Sequence, residues 1–166
     1  ENRMYVSGPA YSYSDYNSYS TLQVVDISDP SGKLVEGASV EVSGQINSRW
    51  QMNEYEGVLR VISQPLAWGS QPIVETFQIV SSAELLPLGK MSMVLPRPEN
   101  LMSVRFDGNR GYAVTFEQTD PLFVIDLSNP AKPVQQGELE IPGWLYHMEP
   151  RGDRLFAIGY SGEWGE

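Results

Sequence analysis

LFVIDLSNP at Leu122–Pro130 repeats, a hundred residues on, the pattern of LQVVDISDP at Leu22–Pro30. In both, an apolar stretch rich in Val and Ile runs into Asp, then Ser, then an Asx residue, then Pro. The apolar part reads as a strand. The Asx and Ser side chains can bond backbone two residues on, and Pro lacks the N–H that a ladder needs, so the motif closes as a fixed turn at the outer edge of a sheet. FQIVSSAEL at Phe77–Leu85 keeps the apolar positions without the Asp and Pro, and reads as a degenerate middle copy. The three starts lie 55 and 45 residues apart.

A second pattern repeats in step with the first. RMYVSG (Arg3–Gly8), GVLRVIS (Gly57–Ser63), RGYAVTF (Arg110–Phe116) and RLFAIG (Arg154–Gly159) align Tyr5, Leu59, Tyr112 and Phe156. Between them, Phe106–Gly111 (FDGNRG) and Glu149–Arg154 (EPRGDR) read as tight turns. Thirteen short segments read as strands, Arg49–Met52 and Met91–Leu95 among them, and none as a confident helix. Each unit is then a strand before a turn, a strand after it, a VIDLS-type strand and an outer strand such as Gln135–Ile141. Four antiparallel strands in about 45 residues make a propeller blade. The fold expected is all-β, a β-propeller of four-stranded blades, with repeat units near 1–46, 47–99, 100–143 and a partial 144–166, and no separate second domain. About three blades' worth is present where a ring needs roughly four to eight, so a longer chain or a partner is expected to supply the rest.

Composition narrows the partners. Eleven Lys and Arg stand against 21 Asp and Glu, a formal charge of −10. That balance argues against nucleic acid and anionic membrane, which need clustered positive charge. Membrane insertion is not expected, because no apolar run approaches the ~18 residues of a spanning helix. The N-terminus lacks the order of a signal peptide, so the sequence reads as a mature or trimmed piece. There is no Cys, which removes thiolate nucleophiles, disulfides and Cys-based zinc sites. Only Lys33, Lys90 and Lys132 are lysines; low lysine with high acidity hints at a salty or extracytoplasmic setting.

Residues Ser103–Trp144, SVRFDGNRGYAVTFEQTDPLFVIDLSNPAKPVQQGELEIPGW, closely resemble the extracytoplasmic β-propeller-domain proteins of bacteria and archaea. Leu22–Pro30 and Glu56–Ser63 fit the same family, so the resemblance covers nearly the whole chain. The sequence is also similar to LVIVD-type propeller repeats of surface proteins. The resemblance implies a secreted, periplasmic or surface-attached protein, and it brings no catalytic residue set with it.

Several local features bear on function. Tyr11-Ser12-Tyr13-Ser14-Asp15-Tyr16-Asn17-Ser18-Tyr19-Ser20 has the composition of a recognition surface, in which Tyr offers contact area at low entropic cost and Ser and Asn offer adaptable hydrogen bonds. The plainer reading is a loop between two strands. Propeller topology gathers Trp68, Gln71, Arg97, Glu99, Glu117, Gln118, Asp120 and Trp144 on one face, a composition compatible with sugar binding or glycosidase chemistry. Glu117 and Asp120 read more simply as solvated loop acids. His147, the only histidine, falls on an innermost strand and is expected as a hydrogen-bonded strand residue; alone it cannot make a multi-His metal site. Arg151-Gly152-Asp153 is read as turn chemistry equivalent to Asp107-Gly108-Asn109. No cofactor is expected, and calcium is allowed only through carboxylates from separate loops, since Asp26 and Asp126 lack a neighbouring ligand run.

The function expected is a non-catalytic extracytoplasmic scaffold binding a protein or carbohydrate surface through Tyr11, Tyr13, Tyr16, Tyr19, Trp68, Arg97, Glu117, Asp120, Trp144 and His147. The alternatives are a polysaccharide hydrolase using Glu117 and Asp120 as acid and base, and a structural surface-layer or filament component whose blade edges pair between chains.

Overall fold

The computed structural model of the protein describes residues 2–12, 17–67, 69–116, 120–141 and 144–160. Thirteen antiparallel strands form four sheets. The first holds β1 (Arg3–Ser12), β2 (Asn17–Asp26) and β3 (Val35–Val42). The second holds β4 (Met52–Tyr55), β5 (Val58–Ser63), β6 (Ile73–Ser81) and β7 (Glu84–Ser92); the third holds β8 (Asn100–Asp107), β9 (Arg110–Phe116), β10 (Asp120–Asp126) and β11 (Val134–Ile141). β12 (Trp144–Arg151) and β13 (Arg154–Tyr160) form a two-stranded sheet. Strands are paired in sequence order throughout, as in successive blades of a propeller.

Three apolar cores lie between the sheets. Leu22, Val24 and Val42 of the first meet Leu59, Val61, Phe77 and Ile79 of the second. Ile62, Val74 and Met93 meet Val104, Phe123 and Ile125 of the third. Tyr112, Val114 and Leu122 meet Met148 of the fourth. The second and third sheets are thus buried on alternate side chains of both faces, which is why their strands read as nearly continuous apolar runs. At the two ends of the arc the same positions are exposed: Met4, Val6 and Ile27 on the first sheet, Phe156, Ile158 and Tyr160 on the last.

The repeated motifs do what their chemistry requires. The Ser28 and Ser128 N–H groups each donate to the carboxylate of Asp26 and Asp126 at 2.8 Å, and Asp29 and Asn129 receive Ser31 and Ala131 in the same way. Gly108 (φ +48) and Gly152 (φ +64) hold the same position in the two-residue turns after β8 and β12, so Arg151-Gly152-Asp153 is a hairpin turn. The Gly152 N–H donates to Asp107 at 3.0 Å, tying one turn to the next.

Four readings of the sequence need correction. The middle copy of the VIDL strand is Val74–Ile79, not Phe77–Leu85: Val74 pairs with Ile62 as Leu122 pairs with Val114 and Leu22 with Ser7. The period is therefore 52 and then 48 residues, which Gly37, Gly89 and Gly137 on the outer strands reproduce. Arg60, not Leu59, holds the place of Tyr5 and Tyr112; it pairs with Thr76 as they pair with Val24 and Val124. The outer strand β7 runs from Glu84 to Ser92 instead of Met91–Leu95, tolerating Pro87 because it is an edge strand and the register shifts beside that residue. Arg49–Gln51 is a single 3-10 turn, and the strand begins at Met52.

Candidate functional site

Ser48-Arg49-Trp50-Gln51 forms a capping box. The Trp50 N–H donates to the Ser48 hydroxyl at 3.3 Å, and the Ser48 N–H donates to the Gln51 side-chain oxygen at 3.0 Å. Gln51 is buried, and its amide nitrogen donates to the Ile62 carbonyl at 2.9 Å. This anchoring faces Gln51 inward and leaves Trp50 43% exposed ahead of β4. The Arg49 guanidinium lies 4.2 Å from the centre of the Trp50 ring, and that of Arg105, on β8, lies 4.1 Å from it. Both guanidiniums therefore lie over the indole ring.

The stack lies where the first strands of successive sheets converge, since β12 and the Arg49–Gln51 turn both pack against β8. Trp50, Arg105 and His147 form a common wall between two cavities. One, of about 340 Å³, is completed by Ser48, Ser103 and neighbouring residues of β8. The other, of about 490 Å³, is completed by Met52, Phe106, Met148 and Pro150.

Charge at the site is unbalanced. Burial, and then repulsion from Arg49, lower the pKa of Arg105. Its Nε donates to the Met148 carbonyl at 2.8 Å and one terminal nitrogen to Val104 at 2.7 Å. Among the described residues neither Arg49 nor Arg105 has a carboxylate within 4.0 Å. Glu149, on the second cavity, is held by Arg151 at 2.7 Å. The other cations of the core are satisfied internally. Arg60 is buried and donates to Asn53 and, at 2.6 Å, to the Gly108 carbonyl; burial lowers its pKa to about 10. Glu54 on β4 joins Arg3 and Tyr5 of the first sheet. Hydrogen bonding from Arg3 keeps the Glu54 carboxyl below its ordinary range, while burial foremost raises the Tyr5 hydroxyl.

Sheets stacked face to face, each ordered from a convergent first strand to an outer edge, match what the sequence comparison finds. A model of the β-propeller domain covers residues 1–165. The chain belongs to the β-propeller domain family. It is 38% identical over 121 residues to an uncharacterized protein of Methanocaldococcus jannaschii, covering 73% of this chain and 19% of that one. It is likewise 38% identical over 124 residues to an uncharacterized protein of Archaeoglobus fulgidus, covering 75% and 19%. This propeller segment therefore spans about a fifth of the length of those relatives.

Of the residues singled out in the sequence, Tyr13, Tyr16, Trp68, Glu117 and Gln118 lie outside the described residues. Tyr11, Asp120 and Trp144 are backbone positions on β1, β10 and β12. Tyr19 is half-buried on β2 opposite Ala10, and Arg97 is exposed between β7 and β8. His147 is exposed beside Trp50 and Arg105, and has no hydrogen bond among the described residues, contrary to expectation. Glu99 turns inward and accepts from the buried Thr115 hydroxyl, and Gln71 accepts from the Leu95 N–H at 3.2 Å, so both fasten the loops that carry them. Among the described residues no group of three or more His, Asp and Glu converges. Sequence reading missed Trp50, Arg49 and Arg105; the one local signal was the Ser48-x-x-Gln51 capping pattern inside a supposed strand.

Proposed function

We propose that this chain is part of a non-catalytic, extracytoplasmic propeller scaffold that binds a protein or glycan partner, with further blades of a longer chain meeting its two end faces. The observation that carries the binding reading is the length of the β1–β2 hairpin. Its ladder runs for ten residue pairs, from Arg3–Asp26 to Ser12–Asn17, against six in β5–β6 and five in β9–β10. The ladder that leads into the Tyr-rich segment is thus the longest of the three equivalent hairpins, which supports that segment as a contact surface. The exposed apolar side chains at both ends of the arc support the reading of further blades, because large exposed apolar faces mark interfaces. The acidic, lysine-poor composition supports an extracytoplasmic setting.

The test is to replace Tyr13, Tyr16 and Tyr19 together by Ala and measure retention of the protein on a cell-envelope fraction. The scaffold reading expects retention to be lost with the melting temperature nearly unchanged. Undiminished retention would remove this hairpin as the binding surface.

A further inference from the structure

We infer that the Arg49–Trp50–Arg105 stack is the binding site for an acidic peptide segment, with a carboxylate held by the two arginines and a neighbouring apolar side chain in the adjoining cavity. This rests on the scaffold reading and names a partner chemistry for a second surface of it.

The stack leaves hydrogen-bonding capacity unused. Arg105 spends its Nε and one terminal nitrogen on backbone carbonyls, leaving its other terminal nitrogen without a hydrogen bond among the described residues. Arg49 makes no side-chain hydrogen bond among them and is exposed. In a chain of formal charge −10, two guanidiniums held on one ring without a carboxylate form a local cationic site. Arginine donors in a fixed fork match the geometry of a carboxylate or a phosphate. Stacking on the indole removes much of the rotamer freedom that binding would otherwise have to freeze.

The same stack argues against a neutral sugar. A pyranose ring docks by laying its C–H face on an aromatic ring, and two guanidiniums already lie over the ring of Trp50. The second cavity then chooses between acidic ligands. Beyond the residues shared with the first, it is lined by Met52, Phe106, Met148 and Pro150, with Asn53 and with Glu149, whose carboxylate is already paired with Arg151. A polyuronate would present hydroxyls to that wall. A peptide with an acidic residue next to Leu, Ile or Phe would present a side chain that the apolar part of the wall desolvates favourably.

The experiment is calorimetric titration of the protein with an N-acetylated peptide of alternating Glu and Leu, its Gln and Leu counterpart, and a galacturonate oligomer. The Glu peptide is expected to bind, to weaken as salt rises because exposed charges are screened, and to bind at least tenfold more weakly to Arg49→Gln. Arg49 is exposed and its side chain makes no hydrogen bond or ion pair among the described residues, so this variant is expected to keep the fold; Arg105→Lys, which keeps the charge and loses the fork, is expected to weaken binding as well. Equal binding of the Gln peptide, unchanged affinity in Arg49→Gln, or binding of galacturonate alone would overturn the inference. Envelope retention lost with the three tyrosines, alongside no peptide binding, would overturn this site and leave the scaffold reading standing.

Discussion

The Pro130 carbonyl of the third sheet occupies the space where a side chain on Gly89 of the second would begin. Thr76, beside it, donates its hydroxyl to the same oxygen at 2.6 Å. The first and second sheets are latched alike: the Ser82 carbonyl fills the space at Gly37 and accepts the Ala38 N–H at 2.9 Å. One repeat position, one period apart, thus joins each outer strand to the third-to-fourth-strand connection of the next sheet. Gly137 holds the equivalent place on β11 and meets nothing within 4 Å.

Substitution at these glycines should separate the three positions. Gly89→Ala and Gly37→Ala force backbone apart and are expected to destabilise by about 1–3 kcal/mol, the usual range for overpacking. Gly137→Ala in this chain is expected to change stability by less than about 1 kcal/mol. Urea unfolding of the three variants checks the ordering.

The buried guanidinium of Arg60 substitutes for an aromatic ring at its repeat position, with its charge offset by Asn53, the Gly108 carbonyl and the rings of Tyr55 and Phe106 at 4.9 and 5.0 Å. Removing it leaves the half-buried Gly108 carbonyl without this donor. Arg60→Ala is expected to cost about 2 kcal/mol or more, measured by the same unfolding curves.

Acid should find the Glu54 contact. Its carboxyl titrates below the ordinary value of 4.5 because the folded state holds it ionised against Arg3. The unfolded chain therefore takes up the proton first, and the contribution is full above pH 4.5 and lost as pH falls through the lower folded value. Glu54→Gln is expected to be less stable than the parent by about 1–2 kcal/mol near neutrality. The two should converge in acid. A gap that stays constant down to pH 2 would show that the ion pair is not its source.

Asp126 offers a test of turn against metal. Its carboxylate accepts the Ser128 N–H, an arrangement that Asn129 reproduces with an amide oxygen toward Ala131. Asp126→Asn is expected to keep the parent melting temperature and Asp126→Ala to lower it, in both cases unaltered by a calcium chelator. Chelator-sensitive melting in the parent alone would make Asp126 a calcium ligand.

How much of this could be read from the sequence depended on range. The Asp26 and Asp126 turns, the Gly108 and Gly152 hairpins and the four-strand unit follow from local chemistry and were open to reading. Register in the second unit was not, because apolar Leu59 resembles Tyr5 and Tyr112 while the two-residue turn at Glu56-Gly57 actually puts Arg60 in their place. A slip of one residue exchanges the two faces of a strand. The Trp50 stack was hidden for a different reason. Arg49 is the neighbour of Trp50 in sequence, but Arg105 and His147 lie on β8 and β12 of two other sheets, and only packing brings them to it.

Mass in solution shows whether the chain is an arc of propeller blades with unfinished faces. Light scattering on the purified chain should show association beyond 18.6 kDa, and replacing Phe156, Ile158 and Tyr160 by Ser should reduce it. A monodisperse 18.6 kDa monomer with a single cooperative melt would contradict the claim, because it would mean that the end faces need no partner.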